Sequence, residues 1–369
     1  MEKKIGIGFV GVGNISEIYL KNITNLFEEI YIAGVCDLVP EKAEKAREKY
    51  GVTVYKDMYE LFADENVDIV LNITEPANHY PVTMAALKAG KHVYSEKPLA
   101  TRFEDGVEIC KYAKEHNLFV GGAPDTFMGA GLQTTRKLVD EGAIGKPFGG
   151  NVRFVCQGPE RWHPNPAFFY QFGAGPLFDM GPYYVTSLVN IFGRAKSVVA
   201  VCTKALEEKI ATCKEIYGKS IKIEVPTYVN GIVTFDSGAQ VSVTISFDVF
   251  DSNGGAPIEI YGTEGTIYAP DPNTFCGPVR LLKQGGDVVE MPLEFGYSEN
   301  SRALGLADMA KAISCGRDYR ACSMQQLHVL EIMCAFYKAS DEHREITLTT
   351  PFERKPLMDN TCPCGVLEI

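Results

Sequence analysis

The chain contains no apolar run approaching the roughly 18 residues that a membrane-spanning helix needs. Its opening, MEKKIGIGFVGVG, lacks the long apolar stretch and small-residue cleavage site of a signal peptide. Positive charge is in deficit, with 36 Lys+Arg against 47 Asp+Glu and a net charge of -11. A surface of that sign repels phosphate backbones and anionic lipid, so nucleic acid and membrane are not expected partners. Histidine is scarce, and His79, His92 and His116 lack metal-ligand spacing, so no metal site is expected. The eleven cysteines are odd in number and follow no framework spacing, which fits a reducing cytoplasm. Only Cys362 and Cys364 lie close together, and a one-residue gap with no second ligand pair points to plain tail residues.

What is present is the composition of a globular protein, 46% hydrophobic and 22% charged, and 369 residues suit two domains. Residues 5–10 (IGIGFV) are wholly apolar, as a buried parallel strand should be. A glycine-rich turn follows, then helical spacing from Ile15 to Leu26, then a strand from Ile30 to Cys36 that ends at Asp37. Pro40 opens a charged helix. Further helices are expected near 57–63, 79–89 and 103–116, with strands at 67–73, 91–95 and 118–122. Six alternations of strand and helix mean an α/β domain with a doubly wound parallel sheet, here taken as residues 1–124.

Beyond about residue 149 the pattern changes. QVSVTISF (240–247) alternates apolar and polar residues, and VNGIVTF with the turn Asp236-Ser237-Gly238 precedes it as the other arm of a hairpin. IEIYGTEGTIYA (258–269) repeats the pattern, and a late helix is expected near 324–339. Residues 125–369 therefore read as an α+β domain with a large, mostly antiparallel sheet open on one face.

GFVGVGNIS (8–16) carries Gly11 and Gly13 at the turn between the first strand and its helix, with Gly8 assigned to the same cofactor loop and Ser16 where a third loop glycine usually falls. Gly11 permits the tight turn and Gly13 lets the backbone approach a pyrophosphate. Asn14 and Ile15 lead into the helix, whose free N–H groups face such an anion. Asp37, closing the second strand, can accept both adenosine ribose hydroxyls. No arginine follows it to hold a 2'-phosphate, so NAD is expected over NADP. AGKHVYSEKPLA (89–100) places Glu96, Lys97 and Pro98 at the carboxyl end of a parallel strand, where open sheets bind ligands. A lysine there can be tuned to accept a hydroxyl proton; a surface ion pair of Glu96 with Lys97 is equally compatible with the spacing.

GFVGVGNIS, NITEPANHYPVTMAALKAGKHVYSEKPLA, EGAIGKP and IEIYGTEGTIY together resemble the Gfo/Idh/MocA oxidoreductases, the relatives of glucose–fructose oxidoreductase and inositol dehydrogenase. The resemblance runs from residue 5 to about 345. It implies that Lys97 is catalytic and that Thr74, Pro76 and His79 border the nicotinamide, with the proline one position later than is usual. GAGPLFDMGPYYVTSLVNIFG (173–193) resembles the family segment whose Asp and, four residues on, His face that lysine. Asp179 fills the first place and Tyr183, not histidine, the second. Four residues apart on a helix share a face, and a phenol beside a lysine can relay a proton. The other reading makes both packing residues, with Asp179 as an N-cap.

RWHPNPAFFYQF (161–172) holds Arg161, Trp162 and His163 in a proline-rich loop. Either its flat rings receive a sugar, with His163 as a further acid/base, or they form a core aromatic cluster. Asp125, where the chain leaves the parallel sheet, is a further candidate to reach the substrate. The resemblance extends to glycoside 3-dehydrogenases, among them C-glycoside 3-oxidases, in PDTFMGAG and WHPNP…GPLFDMGPYY. It implies oxidation of a sugar or glycoside in a cleft between the domains, and a homo-oligomer paired through open sheets. An inositol-like cyclitol is the alternative substrate, and an NAD-binding sensor the alternative of another class.

Overall fold

Every residue of Ile5–Val10, strand β1, is buried, because β2 and β4 pair with it in parallel on its two sides. This computed structural model describes residues 4–252 and 254–368. After β1 come α1 (Ser16–Asn25), β2 (Ile30–Cys36), α2 (Pro40–Tyr50), β3 (Thr53–Val54), α3 (Met58–Ala63) and β4 (Ile69–Asn72). They continue with α4 (Pro76–Lys88), β5 (His92–Ser95), α5 (Phe103–Glu115) and β6 (Val120–Gly122). The strands form one sheet in the order β3-β2-β1-β4-β5-β6, all parallel. This is the doubly wound arrangement that the alternation implies.

Local chemistry explains the element ends. Helix α2 has Pro40 at its start, Glu41 in its first turn, Arg47 and Lys49 in its last, and Gly51 at φ 68° closing it. Helix α4 starts at Pro76, three residues before the expected 79, because proline suits a first helical turn. Strand β3 is too short to leave a pattern.

A second unit comprises Gly131–Leu293 and His328–Arg354. It contains α6 (Ala130–Asp140), β7 (Pro147–Val155), α7 (Gly175–Phe192), β8 (Ala195–Thr203), β9 (Glu208–Ile210) and β10 (Ser220–Lys222). Then follow β11 (Tyr228–Phe235), β12 (Gln240–Ser246), β13 (Ile258–Gly262), β14 (Gly265–Ala269), β15 (Val279–Lys283) and β16 (Val288–Met291). The chain ends with α8 (Leu304–Cys315), α9 (Ser323–Glu342) and β17 (Ile346–Thr347). A nine-stranded sheet runs β16-β15-β14-β13-β7-β12-β11-β8-β17, and β9 with β10 make a separate pair. Only β7 and β12 pair in parallel; the other neighbours are antiparallel. The expected hairpin is present, with Thr234 opposite Gln240 and Gly238 at φ 84° in its turn. Val241, Val243 and Ile245 of β12 are fully buried, and α7 packs against β7, β11 and β12.

The first unit does not stop at 124. It extends to Ala130 and regains residues 294–327 and those from Lys355 onward. The reason is an edge that needs covering: Gly122 N–H donates to the Ala321 carbonyl at 3.1 Å, and Gln326 and Tyr319 donate to the carbonyls of Gly122 and Val120, both at 2.7 Å. A buried ionic knot ties the returning chain down. Asp308 of α8, fully buried, accepts from Arg317 and Arg320 guanidinium nitrogens, both at 2.9 Å, and from the Arg320 N–H at 2.7 Å. Arg320 also donates to the carbonyls of Pro356 and Leu357 and pairs with Glu368.

Removing one partner from such a knot strands the others. Asp308→Ala is expected to destabilise the protein by about 3–5 kcal/mol, read as a lowered urea midpoint, because two guanidinium groups lose their carboxylate.

Candidate active site

The turn after β1 has the geometry of an anion cradle. Gly11 sits at φ 95°, and a Cβ there would lie 2.8 Å from the Ile73 carbonyl oxygen, so glycine is obligatory. At Gly13 an added Cβ would meet nothing within 4 Å, which leaves the backbone open to a ligand. Ser16 folds back, its hydroxyl donating to the Gly13 carbonyl at 2.6 Å. Helix α1 begins there with no side chain capping its N-terminus. Its first-turn N–H groups and dipole suit a pyrophosphate. Asn14 is exposed and Ile15 half-buried at the mouth of the turn. Gly8 has a different task from the one its place in the motif implies. It lies inside β1, and a Cβ would come 2.6 Å from Leu61 Cδ2, so it serves the packing of α3 on the sheet.

Asp37 closes the cradle from β2. Its Oδ2 accepts the Val12 N–H at 2.7 Å and its Oδ1 the Val39 N–H at 2.8 Å. A carboxylate has about four acceptor positions, so both oxygens can still receive ribose hydroxyls. Leu38, next along, is fully exposed and carries no charge, which fits NAD better than a 2'-phosphate.

Two further loops lie at the carboxyl ends of β4 and β5. Thr74 donates its hydroxyl to Asn72 Oδ1 at 2.7 Å, and Pro76 is the first residue of α4. His79 is buried, with Nδ1 2.6 Å from the Pro98 carbonyl oxygen and Nε2 2.9 Å from that of Thr74. Burial pushes its pKa down. Each ring nitrogen thus lies against a backbone carbonyl, and the neutral imidazole, with one N–H, donates to one of the two, so His79 lies between the two loops. The Lys97–Pro98 peptide is cis. Glu96 Oε1 accepts the Tyr19 hydroxyl at 2.7 Å, and Oε2 accepts the Lys97 backbone N–H at 3.0 Å. Helical spacing reads Tyr19 as one more apolar position of α1. Its hydroxyl partner lies 77 residues away and leaves no local signal.

Asp125 departs from its expected role. It is 1% exposed and accepts the Gly305 N–H at 3.1 Å, near the start of α8. Burial lifts its carboxyl from 3.8 to about 6, with Glu96 nearby adding to the rise. It is a buried support in the first unit, because the loop after β6 turns under α8.

In the second unit Asp179 lies within α7, five residues in, and so is not its N-cap; Ala174 holds that place. Asp179 is half-buried and Tyr183, one turn on, is buried. The 157–172 segment forms two short 3-10 turns, Pro159–Arg161 and Ala167–Tyr170. Arg161 is exposed and Trp162 66% exposed. His163 Nδ1 accepts the Asn165 N–H at 3.0 Å, and its ring meets Trp162, Phe168 and Phe169 edge-on at 5.2–5.4 Å between centroids. His163 thus packs edge-on among these rings, while Trp162 keeps an exposed face. Behind this loop Lys209, buried, lies 3.3 Å from both Glu160 Oε1 and Asp248 Oδ1. That trio anchors β9 to the loop and had no signature in the sequence. Among the described residues no group of three or more His, Cys, Asp or Glu is placed to hold a metal.

A parallel sheet with this cradle, this acidic strand end and a lysine at the end of β5, two strands from β1, defines an NAD-binding Rossmann oxidoreductase. The family model described as "Oxidoreductase family, NAD-binding Rossmann fold" matches residues 5–122, and the GFO/IDH/MocA C-terminal domain matches residues 132–268. The chain belongs to the Gfo/Idh/MocA oxidoreductases. The inositol 2-dehydrogenase/D-chiro-inositol 3-dehydrogenase of Lactiplantibacillus plantarum is 35% identical over 146 residues, 38% of this chain and 41% of that relative. The match therefore spans less than half of that relative. The myo-inositol 2-dehydrogenase of Thermotoga maritima is 26% identical over 289 residues, 76% of this chain and 79% of the relative. The crystal structure of the WlbA dehydrogenase from Bordetella pertussis, in complex with NADH and UDP-GlcNAcA, has the same fold. Its TM-score is 0.77 at 20% identity, covering 94% of this chain and 99% of that one.

Asp125 has a measurable signature. The folded protein holds its proton more tightly than the unfolded chain does, so ionisation destabilises the fold. That penalty is absent below about pH 4 and complete above about pH 6, and is worth about 3 kcal/mol at most. Asp125→Asn should raise stability relative to wild type at pH 7.5, and the difference should vanish at pH 4. Urea unfolding at the two pH values checks it, and an equal effect at both would contradict the burial argument.

Proposed function

We infer that this protein oxidises a secondary hydroxyl of a sugar or glycoside, at the 3-position, with NAD as hydride acceptor. The observation that carries the reading is Lys97. It sits at the carboxyl end of β5 in the unit that bears the anion cradle, and its backbone is held through Glu96 and, one residue on, at Pro98 through His79.

NAD, when bound, supplies the acceptor for the hydride that leaves the carbinol carbon. Lys97 Nζ takes the hydroxyl proton as the C–O bond becomes a carbonyl. In the second unit Asp179 is assigned to orienting the substrate and Tyr183 to relaying the proton, the phenol standing where the family segment has histidine. His163 is the alternative relay, since a ring with Nδ1 accepting has its N–H on Nε2. Arg161 and the exposed face of Trp162 receive the sugar's hydroxyls and C–H surface. Gly11, Gly13, Asp37 and the first turn of α1 hold the cofactor's pyrophosphate and ribose. A glycoside whose sugar is C-linked is the sharpest form of the reading. The inositol dehydrogenases among the relatives favour a cyclitol as the second reading.

Two supporting features concern assembly and place. Val199, Val201 and Ile232 stand exposed on the outward face of the nine-stranded sheet, with Val199 and Ile232 directly paired across β8 and β11. Such a face supports a homo-oligomer. Among the described residues no helix is long and apolar enough to cross a membrane, and the scattered cysteines support the cytoplasm as its compartment.

Lys97→Ala should lower turnover at least about a hundredfold while leaving NADH affinity nearly unchanged. A panel of glucosides, free sugars and inositols, followed by NADH absorbance, checks it; unchanged turnover would remove Lys97 from the mechanism. Sedimentation at micromolar concentration should show an oligomer that Val201→Glu dissociates, and a wild-type monomer would rule the assembly out.

A further inference from the structure

Glu96 presents a physical problem that its neighbours solve. Its carboxylate is 8% exposed, and a buried carboxylate needs donors. One is the Lys97 backbone N–H, at 3.0 Å from Oε2. The other is the Tyr19 hydroxyl, at 2.7 Å from Oε1, on a side chain that is wholly buried. Burial and the adjacent Glu96 push the Tyr19 phenol's pKa far up, so it stays protonated and remains a donor.

The position of Tyr19 gives this bond its meaning. Helix α1 begins at Ser16, so Tyr19 lies in the turn whose N–H groups face the phosphate cradle. Neighbouring turns of a helix are tied together by its backbone N–H to C=O hydrogen bonds, each spanning four residues. Any shift of those N–H groups on meeting an anion is carried to the Tyr19 hydroxyl, thence to Glu96, and thence to the Lys97 backbone. On the far side Pro98 is held separately by His79, so Tyr19 governs the amino-side support of the lysine. We propose that Tyr19 is a positioning residue that links the phosphate-cradle helix to Lys97 through Glu96, so that cofactor binding sets the lysine in place. This rests on the reading of Lys97 as the proton acceptor. The link itself can be read without turnover.

The experiment uses amide hydrogen exchange and steady-state kinetics on the full chain. Tyr19→Phe keeps the ring and removes the hydroxyl. In the wild type, NADH should slow exchange of the Lys97 amide by about tenfold or more, and in Tyr19→Phe by less than about twofold. The variant's kcat should fall about tenfold, with the KM for NAD within about twofold, since the loss falls on the reacting geometry. Tyr80→Phe is the control, because that exposed hydroxyl donates to Glu108, away from the cradle, and neither quantity should change. Equal NADH protection of Lys97 in wild type and Tyr19→Phe overturns the proposal, as does an unchanged kcat with faster exchange. If Lys97→Ala still turns over, the catalytic reading falls, and the exchange result alone decides whether Tyr19 holds the Lys97 loop.

Discussion

Strand β1 has a parallel neighbour on each side while its connections leave in different directions, and the cofactor unit is arranged around that constraint. With β2 on one side and β4 on the other, both its edges are paired and both its faces buried, which demands an unbroken apolar run. The same topology opens a crevice at the strand's carboxyl end, where the loops after β1 and β4 diverge. The chain must turn sharply there, with the Ile73 carbonyl against Gly11, and only a residue without Cβ at positive φ can do so. The cradle, Asp37 and the Lys97 loop are then placed at the carboxyl ends of β1, β2 and β5 of one sheet. Catalytic geometry built on strand ends is more exact than geometry built on free loops.

Buried charge is the second organising element, and each unit handles it by pairing. Asp308 is neutralised by two arginines and so fastens the returning chain. Glu96 is satisfied by a phenol and an amide. Lys209 sits between two carboxylates and fastens β9. Asp125 accepts the Gly305 amide, and burial lifts its carboxyl to about 6 even with the Arg302 charge nearby. Buried ionic groups of this kind add little net stability, but removing one member is costly, so they specify which segments meet.

Legibility in the sequence followed the range of the interaction. The alternation of the first unit, the hairpins at 228–246 and 258–269, and the glycines at 11 and 13 were readable, because periodicity and turn chemistry act over a few residues. Asp37 and the Lys97 loop were readable because motif spacing implies strand ends. Short β3, β9 and β10 escaped, being shorter than any period. The tasks of Gly8, His79 and Asp125 changed on folding: the first packs against Leu61, the second joins two loops, and the third lies beneath α8. Each depends on a partner 19 or more residues away or in another element, which no local pattern encodes. Tyr19 is the strongest case, since nothing in SEIYLKN distinguishes a packing tyrosine from one that holds a carboxylate.

The sequence by itself determined the class of each unit, the NAD cofactor, the glycine turn after β1 and the lysine at the end of β5. These follow from side-chain periodicity, backbone freedom at glycine and charge, which are properties of neighbouring residues. Only the tertiary structure decided where the units divide, that residues 294–327 return to cover β6, and which polar groups serve as supports. Those outcomes are set by the need to pair every buried donor, acceptor and charge, and the partners become known only when distant segments are brought together.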